Sequence, residues 1–150
     1  MILEEAIKQH KFKSLQHKTA LNLYYTQAQL HSFSSGLLKP YGISVQQFNI
    51  LRILRGQKGN VIGVSEISER MIDKMSNTSR LVEKLRQKNL VQRRECPEDR
   101  RKAEISITPE GLSLINEASG KVDQQLMDRL QILSEEELST INILLDKLNQ

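Results

Sequence analysis

Apolar residues recur at helical spacing along most of the chain. Residues 4–38 read as one long helix with a weak join near residues 10–13. Leu15, Leu23, Leu30 and Leu37 recur along it, with Leu21, Ala28 and Phe33 beside them, and no proline interrupts. Lys39-Pro40-Tyr41-Gly42 then breaks the pattern. Ser44-Val45-Gln46-Gln47 is a capping box: the Ser hydroxyl accepts an orphan amide three residues on, and the Gln side chain reaches back. It opens a helix to about residue 55 that buries Phe48, Leu51 and Leu54, closed by Gly56 and Gly59. Val61-Ile62 is long enough only for a small strand. Two short helical patterns follow, at 66–71 and 75–88. The period then changes to two. Leu90 and Val91 start a strand at 90–95, and Ala103, Ile105 and Ile107 alternate with Lys102, Glu104 and Ser106 in a strand at 103–107. Between them lies the charged turn Cys96-Pro97-Glu98-Asp99-Arg100-Arg101.

Thr108-Pro109-Glu110 starts another helix, with Thr as cap, Pro in the first turn and Glu beside it. Leu112, Ile115, Val122, Leu126, Leu130 and Leu133 mark its apolar side. Ser134-Glu135-Glu136-Glu137 is a second capping box, opening a last helix with Leu138, Ile141, Leu145 and Leu148 on one stripe. The fold class is mainly α: a winged helix-turn-helix in the order α-α-β-α-α-β-β-α-α, with terminal helices forming a dimerisation domain. The expected division is 1–38, an N-terminal dimerisation helix; 44–107, a DNA-binding lobe; and 108–150, C-terminal dimerisation helices. The terminal stripes are too long for the lobe to cover, so they predict a homodimer built from both chain ends.

Charge sharpens this picture. Residues 70–102 hold 11 Lys and Arg against 5 Asp and Glu, while the rest of the chain holds 11 against 13. The net charge of +4 therefore conceals a polarised molecule, whose basic part suits a polyanion. On the second helix of the pair, Thr78, Leu81, Val82 and Leu85 fall on the core side. Met75, Ser76, Asn77, Ser79, Arg80 and Lys84 make a short polar tip and a basic flank. That division suits a helix whose N-terminus enters the major groove, with Asp73 as its cap. In the hairpin, Arg100 and Arg101 crowd like charges at a tip, which makes sense where a minor groove supplies negative potential. Asp99 is placed to hold one of them by a charge-assisted hydrogen bond, and Arg93 and Arg94 line the flank as phosphate contacts. A solvated charge run is the competing reading of the hairpin.

Ser65-Glu66-Ile67, Thr78-Ser79-Arg80-Leu81-Val82-Glu83-Lys84-Leu85, Lys88-Asn89-Leu90-Val91, Asp99-Arg100-Arg101 and Ile107-Thr108-Pro109-Glu110-Gly111 together resemble the MarR family of bacterial transcription regulators. The wing motif Asp-x-Arg followed by Ile-Thr-Pro-Glu-Gly is its most diagnostic part. The resemblance implies an obligate dimer on a pseudo-palindromic operator, repression as the commoner mode, a wing Arg in the minor groove, and effectors bound between the dimer helices and the DNA-binding lobe. Tyr24 and His31 are the candidates for such an effector pocket, beside the helix that opens at Ser44; a surface His and a core-edge Tyr is the plainer reading. Three departures stand out: Gly63 replaces a Ser or Thr cap, Asn89 replaces Gly ahead of the strand, and Met71-Ile72-Asp73 replaces a Leu-Gly type of turn. Asn tolerates the left-handed backbone, so the second should preserve the turn.

Other chemistry is thin. The single cysteine, Cys96, excludes an internal disulfide; basic neighbours favour a thiolate, but an inert thiol is the expected state. His10, His17 and His31 pair with no Cys or carboxylate cluster at metal spacing. No nucleophile elbow, phosphate-binding glycine loop or His–Asp pairing is present, so neither an enzyme nor a cofactor is expected. No apolar run approaches the roughly 20 residues that span a bilayer, and Glu4, Glu5, Lys8 and Lys11 interrupt the N-terminus, so a soluble cytoplasmic protein is expected. The alternative function is a winged-helix protein-interaction module docking an acidic partner; such modules usually lose the Arg at the wing tip, which is retained here.

Overall fold

The expected long first helix is divided. In the computed structural model, which describes residues 1–99 and 101–150, a single turn α1 (Leu3–Ala6) precedes α2 (Leu15–Leu38). Lys8 at φ 53° takes the chain out of helix, and the Ser14 hydroxyl accepts the His17 N–H at 3.1 Å to start α2 afresh. The break falls among polar residues, where the apolar stripe carries no signal; Ser14 as a cap was the local clue. The arm folds back on α2. The Glu4 carboxylate accepts from the Lys18 ammonium, and Lys18 lies 5.6 Å from the Phe12 ring centroid.

A 3-10 turn (Lys39–Tyr41) ends at Gly42, φ 67°, and α3 (Val45–Gly56) opens on the expected capping box, with both reciprocal bonds present. Lys58 and Gly59, both at positive φ, turn the chain into β1 (Ile62–Gly63), which leads into α4 (Val64–Arg70) and α5 (Thr78–Gln87). The wing strands β2 (Val91–Glu95) and β3 (Ala103–Ile107) follow, then α6 (Pro109–Leu130) and α7 (Glu135–Leu148). The sheet order is β1-β3-β2, antiparallel throughout. Ile62 pairs with Ile105 on one side of β3, and Val91, Arg93 and Glu95 pair with Ile107, Ile105 and Ala103 on the other. The observed fold is thus the expected winged helix-turn-helix with one added turn at the N-terminus.

One apolar core joins the lobe to the first half of α6. Leu51, Leu54, Ile67, Leu85 and Ile105 meet Ile115, Ala118 and Val122 there. Small residues replace part of the expected α6 stripe: Gly111, Ala118 and Ser119 are buried, whereas Leu112 and Leu130 are each 40% exposed. Large side chains would hold α6 away from α3. Three polar contacts also tie these helices together. Arg55 Nη1 donates to Ser119 Oγ at 2.7 Å and to Asn116 Oδ1 at 3.2 Å, and Arg52 pairs with Asp123 at 3.3 Å.

The wing is fixed to α6 at its base. Asn89 adopts φ 59°, so the expected left-handed turn survives without glycine. Thr108 donates its N–H to the Leu90 carbonyl at 3.1 Å and its hydroxyl to the Asn89 carbonyl at 2.7 Å, while accepting the Gly111 N–H at 3.0 Å. A Cβ on Gly111 would stand 2.1 Å from the Leu90 carbonyl oxygen. The Ile-Thr-Pro-Glu-Gly motif is therefore a helix start pressed against the wing strand. By contrast, α7 has no buried residue within the protomer. Among the described residues, no helix is long and apolar enough to cross a membrane.

Candidate nucleic-acid interface

The helix expected to enter the major groove starts later than its pattern suggested. Asp73 and Asn77 are both capable caps, and the structure divides the roles. Asp73 closes a local turn, accepting the Met75 N–H at 2.9 Å, whereas Asn77 is the N-cap of α5, accepting the Arg80 N–H at 3.2 Å. Met75 and Ser76 therefore precede the helix. The cap role also changes what Asn77 can present: its carbonyl oxygen is engaged, leaving its amide N–H groups as donors.

Along α5 the two faces separate as expected. Thr78, Val82 and Leu85 are buried, with Leu81 half-buried, while Ser79, Arg80 and Lys84 are exposed. Met75 is 91% exposed at the preceding turn. The Ser76 hydroxyl differs from the rest of the tip: it is enclosed, and like that of Thr78 it has no partner among the described residues.

Asp99 organises the wing tip through the backbone. Its carboxylate accepts the Arg101 N–H at 2.9 Å, and its carbonyl accepts the Lys102 N–H at 3.0 Å. Of the two arginines that Asp99 was expected to hold, Arg101 is met at its backbone N–H and not at its guanidinium among the described residues. An exposed Arg101 side chain results, with no ion pair among the described residues. Arg100 lies outside the described residues. Cys96, at the base of the turn, is half-buried, and its N–H donates to the Lys102 carbonyl at 3.0 Å.

On the flank, Arg93 is exposed, whereas Arg94 donates through Nε to Glu104 Oε2 at 2.8 Å and so is partly neutralised. Sequence reasoning passed over Arg86. It donates from Nε and Nη2 to Glu83 at 2.9 and 2.7 Å, a pairing that the i, i+3 spacing could have revealed. The hydrogen bond from Arg86 holds the Glu83 carboxyl below its ordinary range. With Gln92, Arg93 and Arg94, Arg86 lines a polar depression of about 650 Å³ between α5 and the wing.

Tyr24 and His31 are not brought together beside α3. Tyr24, 74% exposed, stands on an apolar groove of about 590 Å³ that it shares with Leu15, Leu23 and Leu148 from α2 and α7. His31 is exposed one helical stretch away and does not line that groove. Two residues seven apart on one helix share a face, but here the neighbour across that groove is the end of α7.

With this geometry in place, similar proteins give it context. The MarR family model matches residues 43–103, from the start of α3 to the start of β3. The HTH-type transcriptional regulator YsmB of Bacillus subtilis is 32% identical over 112 residues, 75% of each chain. The HTH-type transcriptional repressor MdtR of the same organism is 33% identical over 101 residues, 67% of this chain and 64% of its own. Among solved structures, a cysteine-to-serine mutant of MarR from E. coli complexed with operator DNA superposes with a TM-score of 0.77 at 20% identity, covering 99% of each chain. At that identity the likeness is one of fold.

Proposed function

The chain belongs to the MarR family of helix-turn-helix transcriptional regulators, and from that premise we propose that it represses transcription as a homodimer bound to a pseudo-palindromic operator. The observation that carries the reading is the set of exposed cations around one edge of the lobe. Arg80 and Lys84 on α5, Arg93 on β2 and Arg101 on the wing all face solvent. In this reading Met75, Asn77, Ser79 and Arg80 meet base edges in the major groove, with Ser76 contributing backbone. Lys84, Arg93 and Arg94 contact phosphates. Asp99 positions the wing so that Arg101, beside Arg100, enters the minor groove. The relative named a repressor supports the sign of regulation.

The dimer follows from surface that one chain leaves uncovered. On α7, Ile143, Leu144 and Leu148 are 64, 59 and 66% exposed, and Leu15 and Tyr24 on α2 are 78 and 74% exposed. Apolar surface on both chain termini calls for a partner of the same kind. In the dimer the two reading helices would sit about one helical turn of DNA apart, roughly 34 Å. A small-molecule effector would release the operator by favouring a different spacing.

Titration of a labelled random duplex and of a duplex selected from a random pool tests the proposal. Both should bind, the selected one more tightly, with affinity falling steeply as salt rises because bound counterions are released. Arg80→Ala should cost roughly 1–3 kcal/mol on the selected duplex and relax its specificity. Absence of binding to either duplex in dilute buffer would overturn the function.

A further inference from the structure

Two large apolar side chains stand out on the turn between α4 and α5. Ile72 is 87% and Met75 91% exposed. Dimerisation does not account for them, since the other uncovered apolar surface belongs mainly to α2, α6 and α7. Nor is the turn loose. Ile72 donates its N–H to Asn49 Oδ1 on α3 at 2.9 Å, and Met75 donates its N–H to Asp73 Oδ1 at 2.9 Å. Ser76 donates its N–H to the Asp73 carbonyl at 3.2 Å, and the Lys74 ammonium donates to the Glu69 carbonyl. Met71, immediately before, is 2% exposed and anchors the segment in the core. Two apolar groups are thus held in water on a hydrogen-bonded support, directly ahead of the helix that reads DNA.

We propose that Ile72 and Met75 are specificity-determining residues that recognise thymine through its C5-methyl group, an inference that rests on the DNA-binding function above. The thymine methyl is the apolar feature that a base pair presents in the major groove, so apolar side chains there can discriminate bases only by finding or missing it. The surroundings favour this occupant over an apolar protein surface. Residues 69–84 carry Arg70, Lys74, Arg80 and Lys84 against Glu69, Asp73 and Glu83, and Glu83 is already paired with Arg86, so a polyanion is drawn to the segment. Continuity with α5 puts the same turn at the groove whenever the helix N-terminus enters it. Ile72 was absent from the residues first singled out, because its exposure depends on Met71 taking the inward position.

Deoxyuridine differs from thymidine by the missing methyl and keeps the same pairing face, so it isolates the contact. The experiment selects a duplex from a random pool, replaces its thymines by deoxyuridine one position at a time, and measures binding by anisotropy at fixed salt. The wild-type chain, Ile72→Ala and Met75→Ala are compared. We expect the wild type to weaken about fourfold at one or two positions in each half-site, the equivalent of one methyl group leaving an apolar contact. Ile72→Ala or Met75→Ala should bind the thymine and deoxyuridine versions of that position equally. Both side chains lie outside the core, so the variants fold. Equal wild-type binding to every thymine and deoxyuridine pair, with the selected duplex still preferred over random DNA, overturns the methyl contact and leaves the regulator intact. Undiminished sensitivity to the methyl in both variants also overturns it. Failure to bind any duplex would instead remove the function on which it rests.

Discussion

Gly111 shows how a motif residue can serve geometry rather than chemistry. A methyl group there would meet the Leu90 carbonyl oxygen at 2.1 Å and Ile107 Cγ1 at 2.9 Å, and the first of these is backbone that cannot step aside. Gly111→Ala should destabilise the fold by on the order of 3 kcal/mol, through the overpacking of a joint with no slack; thermal unfolding measures it, and an unchanged midpoint would contradict the joint. Asn77 carries a different kind of duty. Its side chain caps α5, so Asn77→Ala should cost about 1 kcal/mol of stability in addition to any loss of DNA affinity, whereas Asn77→Asp should keep the cap and lose affinity through its charge. Equal stability of the alanine variant and the wild type would place the cap elsewhere. The later start of α5 was hidden in the sequence because Asp73 and Asn77 are both good cap residues and the local pattern does not choose between them.

Among the elements, legibility tracks how local the signal is. The starts of α3, α6 and α7 were readable because cap and helix lie within four residues, and each observed cap uses the expected side chain. The β2–β3 hairpin was readable from its period. The split between α1 and α2 was readable only as a weak join near residues 10–13, because the residues between the two helices are mostly polar and carry no apolar period. The arm so formed is held by charge. The Lys18 ammonium beside Glu4 keeps that carboxyl below its ordinary value of 4.5. A lowered folded value means the contact contributes fully above the ordinary value and is lost as pH falls through the folded one. Acidification through that window should release α1 before the lobe unfolds, read as faster amide exchange at Ala6 and Ile7, whose N–H groups close the turn. Glu4→Gln should bring the fast exchange to neutral pH. Protection that persists in the variant would show that the apolar burial of Leu3 alone holds the arm.

At the scale of the whole molecule, exposed cations on α5 and the wing adjoin a helix, α6, whose far end, with α7, is uncovered. The Arg55–Ser119 contact ties α6 to α3 and the Thr108–Leu90 contact ties it to the wing, so in the proposed dimer whatever seats on α7 would set where the two α5 helices stand. Leu145→Asp changes a 36% exposed side chain on an α7 face that the protomer does not bury. It should leave the lobe folded, yield a chain of half the native mass, and weaken operator binding at least tenfold. A folded variant that remains dimeric would move the interface off α7. The expected division at residues 38, 44 and 107 could not show that the first half of α6 shares the lobe's core, because Gly111, Ala118 and Ser119 are too small to register as an apolar face.

If two lobes held at a fixed distance grip one duplex, sedimentation equilibrium of the chain with a labelled selected duplex will reveal it. The free species at micromolar concentration should have twice the chain's 17.2 kDa, and the complex should carry two chains per duplex with no stable one-chain intermediate. A 17.2 kDa species that binds the duplex as a single chain would contradict it.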